Sequence, residues 1–140
     1  MKRKKIKFMT LLLLTVMLMM GGTMIAQAKT RIYYAWNVPS ASAYMENPTY
    51  NAKIKVKGNT LKLTGCMLKY WKGQSWDKAK YLTYGTRKFK LTKNTKYYLV
   101  GENLHRYSRK SFMKVLKSRN GLGMFIYVKN KKVVQIRLCS

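Results

Sequence analysis

From residue 53 onward, apolar and polar side chains alternate in short runs broken by turn residues. KIKVKGNTLKL (53–63) is the clearest run, with Gly58-Asn59 at its centre. Gly followed by Asn suits a two-residue type II′ or I′ turn. That turn sets Val56 against Leu61 and Ile54 against Leu63 on one apolar face. On the other face it sets Lys55 against Lys62 and Lys57 against Thr60. LTGCMLKYW (63–71) continues the second strand, and KGQSWDKAK (72–80) reads as a loop or short helical turn. RKFKLT (87–92) and TKYYLVG (95–101) alternate again, with Phe89 and Leu91 inward and Lys88 and Lys90 outward. Asn94 between them marks a bend or a second hairpin.

One segment carries a helical period. In SRKSFMKVLKSRNG (108–121), Phe112, Val115, Leu116 and Arg119 fall at i, i+3, i+4 and i+7. Ser108 is the expected N-cap, and Asn120-Gly121 supplies a left-handed stop. Arg109 and Lys110 stand at the end of the helix where the dipole disfavours cations. The chain closes with MFIYVKNKKVVQIRLCS (124–140), a last hairpin. A three-residue loop at Asn130–Lys132 would pair Val128 with Val134 and Ile126 with Ile136, and bring Met124 near Leu138. It is preferred to a two-residue loop, which would set Ile126 against Gln135.

The first half-hundred residues follow other rules. Lys2, Arg3, Lys4, Lys5 and Lys7 precede LLLLTVMLMM (11–20) and then Ala26-Gln27-Ala28. A basic start, an apolar run and a small-x-small end predict a signal peptide over 1–28, cleaved near Ala28. An uncleaved anchor is the alternative, since Phe8 to Ala26 is nearly long enough to span. Residues 29–52 hold both prolines and a Ser/Ala-rich stretch. They are expected to form an irregular arm anchored by Tyr33, Tyr34 and Trp36, with a short strand at Ile32–Trp36 as the only regular piece. A single domain over 53–140 would follow.

Strand–strand–strand, helix, strand–strand after an arm matches a small antiparallel OB-like five-stranded barrel, mainly β with one short helix. FKLTKNTKYYLVG, a helix, then NGLGMFIYVKNKKVVQIRL resembles small secreted bacterial β-domains of OB-like type, over roughly 53–140. The lysine-rich leader is similar to those of Gram-positive bacteria. The resemblance implies a fold at most and carries no catalytic residues across. It is the signal peptide that predicts a secreted or cell-wall location.

Charge changes the picture most. The chain has 30 Lys+Arg against 3 Asp+Glu, and without 1–28 it keeps 25 of the 30 with all three acids, a net charge of +22. Its apolar content is too high for a disordered polycation. Glu46, Asp77 and Glu102 are scattered, and His105 is the only histidine. A Glu102–His105 dyad or a Cys66–His105 pair is the best that general acid–base or nucleophilic chemistry could assemble, and both are poor. No CxxC, HxxxH, acid cluster, P-loop or GxSxG occurs. An enzyme is not expected, nor a metal or cofactor.

What remains is positive charge set beside rings, most densely in KYWKGQSWDKAKYLTY (69–84). Lys55 opposite Lys62 is a destabilising cross-strand pair with no acid to relieve it. An external polyanion would relieve it, so Lys55, Lys57, Lys62, Lys69, Lys72, Lys78, Lys80, Lys88 and Lys90 are the candidate anion-binding residues, with the helix lysines a second patch. Trp71 and Trp76 are candidate aromatic contacts. Lysine outnumbers arginine 23 to 7, which favours diffuse phosphate contact over reading of bases. The expected partner is a wall polymer with a phosphodiester backbone or an extracellular nucleic acid, with anionic membrane third. A module docking an acidic protein is the alternative. Cys66 and Cys139 are a candidate disulfide, with free thiols in apolar strands the alternative reading.

Overall fold

The computed structural model describes residues 28–38 and 50–139. The expected leader (residues 1–27) and the proline-containing stretch 39–49 lie outside the described residues. No helix among the described residues is long and apolar enough to cross a membrane.

Among the described residues, eight strands and one helix follow in order. They are β1 (Arg31–Asn37), β2 (Asn51–Lys57), β3 (Thr60–Trp71), β4 (Lys80–Lys90), β5 (Lys96–Val100), β6 (Leu104–Tyr107), α1 (Arg109–Ser118), β7 (Gly123–Lys129) and β8 (Lys132–Cys139). A 3₁₀ turn, Trp76–Lys78, lies between β3 and β4. The strands form one mixed sheet in the order β4-β3-β2-β1-β7-β8-β5-β6. The fold is therefore mainly β with one short helix, but the five-stranded OB-like barrel expected from the sequence is not what forms. The eight-stranded sheet is not a barrel, and β4 touches β8 through the single pair Lys90↔Lys132.

Two segments contribute to the difference. RIYYAWN, expected in an irregular arm, is β1, and it runs antiparallel to both β7 and the second half of β3. Its Ile32 and Tyr34 are buried on one face and its Ala35 and Asn37 on the other. The short strand expected at Ile32–Trp36 is present, but a strand covered on both faces shows no in–out alternation, which is why the pattern hides its place in the middle of the sheet. β6 escapes the pattern for the opposite reason, since three of its four residues are exposed.

The first hairpin has the register the alternation predicts, with Val56↔Leu61, Ile54↔Leu63, Lys55↔Lys62 and Lys57↔Thr60. Gly58 takes φ 58° while Asn59 stays out of the left-handed region, the type II′ arrangement. The last hairpin corrects the expected loop. Asn130 and Lys131 have φ 52° and 62° and form a two-residue I′-like turn, so Val128 faces Val133. A register shift beyond Val128 then restores Ile126↔Ile136 and Met124↔Leu138. The bulge absorbs the extra residue, Val134, and leaves it exposed. Asn94 marks a bend, because β5 pairs with β6 and β8 and not with β4.

The core is built from Leu61, Leu63, Met67, Phe89, Leu91, Met124, Ile126, Ile136 and Leu138, closed by Phe112 of α1 against Tyr97 at 4.9 Å between ring centres. Ser108 caps α1, its Oγ accepting from the Ser111 N–H at 3.2 Å. The misplaced cation at that end has a use. The Arg109 guanidinium donates to the Gly58 carbonyl and, at 2.9 Å, to Asn59 Oδ1, tying the helix to the first hairpin's turn. At the other end α1 stops one residue before the extended Arg119, and Gly121 takes the left-handed φ of 77°. Buried Asn37 stitches that exit to β1: Nδ2 donates to the Arg119 carbonyl at 2.8 Å, and Oδ1 accepts from Leu122 N–H at 2.7 Å.

Candidate anion-binding face

Pairing of β2, β3 and β4 turns the lysine alternation into a grid. Lys62 lies directly opposite Lys55 on one side and Lys88 on the other, so three ammonium side chains occupy one rung. The next rung is Lys57, Thr60 and Lys90, and the rung on the other side is Lys53, Thr64 and Thr86. The Thr64 and Thr86 hydroxyls hydrogen-bond at 3.2 Å. All the lysines of the grid are exposed, and no carboxylate lies on any of the three strands. A hollow of about 380 Å³ opens over Lys55, Lys57, Thr60, Lys62 and Lys88. Side chains directly opposite on neighbouring strands have Cβ atoms about 4.5–5.5 Å apart. The face thus concentrates positive charge at a spacing that no contact among the described residues neutralises.

Of the nine lysines named from the sequence, five meet here: Lys55, Lys57, Lys62, Lys88 and Lys90. Lys53 belongs with them and was missed, although the same KIKVK alternation carries its signal. Lys69 and Lys80 pair with each other at the far end of the β3–β4 ladder, beyond an irregularity between Gly65 and Met67. There burial, followed by the nearby charges of Arg31 and Lys80, lowers the Lys69 pKa below the usual lysine value. Lys72 and Lys78 sit exposed in the loop around the 3₁₀ turn and join neither group.

The two tryptophans part company. Trp71 carries the Arg31 guanidinium 4.4 Å above its ring, on the side of β3 that Tyr33 and Lys69 share. Trp76 is 48% exposed and covers the opposite side of the sheet, edge-on to Tyr34 at 5.1 Å and Tyr70 at 5.4 Å. It caps a connected group of rings that includes Phe125, Tyr50 and Tyr81. By alternation along β3, Lys62 and Thr64 lead into Cys66, Leu68 and Tyr70 on this same face. One half of the face is cationic and the other aromatic.

Within the aromatic half, burial pushes the Tyr70 phenol up to about 12. A hydrogen bond to Cys66, then burial, raises Tyr81 to about 12 as well. Cys66 is buried, Cys139 is half-buried, and both are free thiols, so the candidate disulfide is not formed. Burial also raises the Cys139 thiol pKa. Glu102 lies in the exposed turn before β6 and His105 on β6, also exposed. No group of three or more His, Cys, Asp or Glu side chains among the described residues could hold a metal ion.

No family model, curated protein or solved structure matches this chain, so the role of the face has to be read from its own residues.

Proposed function

We propose that this is a non-catalytic binding protein, secreted or held at the cell wall, whose lysine face on β2–β3–β4 contacts anionic polymers with a phosphodiester backbone. The Lys55–Lys62–Lys88 rung carries the reading. Like charges set directly opposite across two ladders cost stability, and a row of phosphates would turn that cost into attraction. Flexible ammonium groups with threonine hydroxyls between them suit phosphates along an extended chain, and contain no bidentate reader of bases. The adjoining rings offer stacking to single-stranded nucleic acid, and sugar-phosphate wall polymer is the other source of the same chemistry.

The test titrates the purified protein against teichoic-acid-bearing wall, wall stripped of those polymers, and single-stranded DNA, with salt stepped upward in each series. If all six lysines of the face contact phosphates, log K should fall with log salt at a slope of about −4 to −5, from counterion release. Binding to intact wall but not stripped wall identifies the wall polymer, and binding to DNA alone identifies nucleic acid. Weak or salt-insensitive binding to all three removes the proposal.

A further inference from the structure

Along one side of β2 the hydrogen-bond ladder stops short. β2 pairs with β3 from Ala52 to Lys57, but with β1 only at Asn51 and Ala52. The two-residue turn makes Lys57 and Thr60 a hydrogen-bonded pair, so Val56 and Ile54 turn their N–H and C=O groups away from β3. The next residue in that alternation, Ala52, confirms the parity: its carbonyl accepts from Val38 N–H at 3.1 Å, on the side away from β3. Among the described residues, no strand takes up the edge at Ile54 and Val56.

Across from this edge stands α1, and between them lies a groove of about 840 Å³. Its floor is apolar, made of half-buried Ile54, Val56, Met113 and Leu116. Its strand lip carries Lys53, Lys55 and Lys57, and its helix lip carries Lys117. Its width is set from both ends, because Arg109 ties the helix to the hairpin turn at one end and Asn37 holds the helix exit at the other. Five strand residues span about 16 Å and ten helical residues about 15 Å, so the two walls match in length.

We propose that this groove takes an extended acidic peptide segment as an added strand on β2. The groups of Ile54 and Val56 that no described strand takes up would pair with the peptide backbone, its apolar side chains would face Met113 and Leu116, and its carboxylates would face the lysines. Charge decides the occupant. The lysine fringe repels a second copy of this edge, the usual protection of an exposed strand. A phosphodiester polymer has no amide ladder to offer and no use for the apolar floor. An acidic strand satisfies all three features at once, by addition to a sheet edge. This inference does not depend on the polymer reading: Lys62 and Lys88 line the lysine face and not the groove, Met113 and Leu116 the groove and not the face.

The experiment uses the full chain and a fluorescent peptide of alternating Glu and Val, seven residues long. Two controls accompany it: the same peptide N-methylated at alternate residues, and hepta-glutamate. The alternating peptide should bind at least tenfold more tightly than either control and slow hydrogen exchange at the Ile54 and Val56 amides. Leu116→Glu should abolish peptide binding and leave single-stranded DNA binding unchanged, whereas Lys62→Glu should weaken DNA and spare the peptide within threefold. Equal affinity for the N-methylated peptide, or unchanged exchange at Ile54 and Val56, overturns the proposal. The exchange measurement needs no substitution, so it decides the matter even if Leu116→Glu fails to fold. Loss of the peptide with salt-dependent DNA binding intact would sink the groove alone.

Discussion

Replacing Lys62 by glutamate should make the protein more stable and worse at binding polyanions. Lys62 faces Lys55 and Lys88 directly, so the substitution removes two like-charge pairs and creates two opposite-charge pairs. Each cross-strand pair is worth a few tenths to about 1 kcal/mol in either direction. Exposure keeps each near the lower end of that range. The sum is a gain of about 1–2 kcal/mol at low salt, or about 5–10 °C in melting temperature for a domain of this size. In 1 M salt, where charges are screened beyond about 3 Å, most of the gain should vanish. Lys62→Gln, which removes repulsion without adding attraction, should give about half of it. Thermal unfolding followed by circular dichroism at both salt concentrations measures the first effect. Titration with single-stranded DNA measures the second, and the slope of log K against log salt should become shallower by about 1–2. A variant that is destabilised at low salt, equally stabilised at both, or unchanged in its salt slope would show that the rung neither strains the sheet nor meets phosphate.

Three further outcomes follow from other parts of the structure. Asn37→Ala strands the Leu122 N–H and the Arg119 carbonyl, and should lower stability by about 2–4 kcal/mol in urea denaturation; a loss below about 1 kcal/mol would mean the clamp is not holding the helix exit. Gly65→Ala would set a Cβ 2.1 Å from the Asn51 carbonyl oxygen, at a φ of +153°, whereas Gly58 has nothing within 4 Å. The Gly65 variant should therefore cost more than about 3 kcal/mol and Gly58→Ala about 1–2, with equal losses contradicting the close β2–β3 approach. Tyr70, whose folded pKa of about 12 exceeds its ordinary 10, contributes stability fully present below pH 10 and lost as pH rises through 12. Tyr70→Phe should flatten the alkaline limb of stability measured over that window, and an unchanged limb would exclude this phenol as a cause.

The sequence is readable where one face of a strand is wet. Lys55 opposite Lys62 follows from the residues alone, because Gly58-Asn59 fixes the turn and alternation fixes the face. The same logic extends to Lys53, two positions further along β2. It finds a short strand at β1 but not its central place in the sheet, because that strand is buried on both sides. It fails at the last hairpin, where a tight turn and a bulge together satisfy two registers that alternation alone makes mutually exclusive. The groove lies beyond reach for a different reason. It depends on where α1 comes to rest against β2, and that is set by Arg109 and Asn37 bonding to partners 50 and more positions away. No local pattern records such distances.

The central place of β1 has a kinetic meaning. Its antiparallel neighbour β7 pairs Tyr34 with Phe125, 91 positions later. A chain made from its N-terminus must hold RIYYAWN, apolar on both sides, without that partner until nearly everything else exists. Such long-range pairing is slow to form, and an apolar strand left waiting is exposed to wrong partners. β3 can cover part of β1 early, through pairs such as Tyr34 with Leu68, but the other side of β1 waits for the end of the chain.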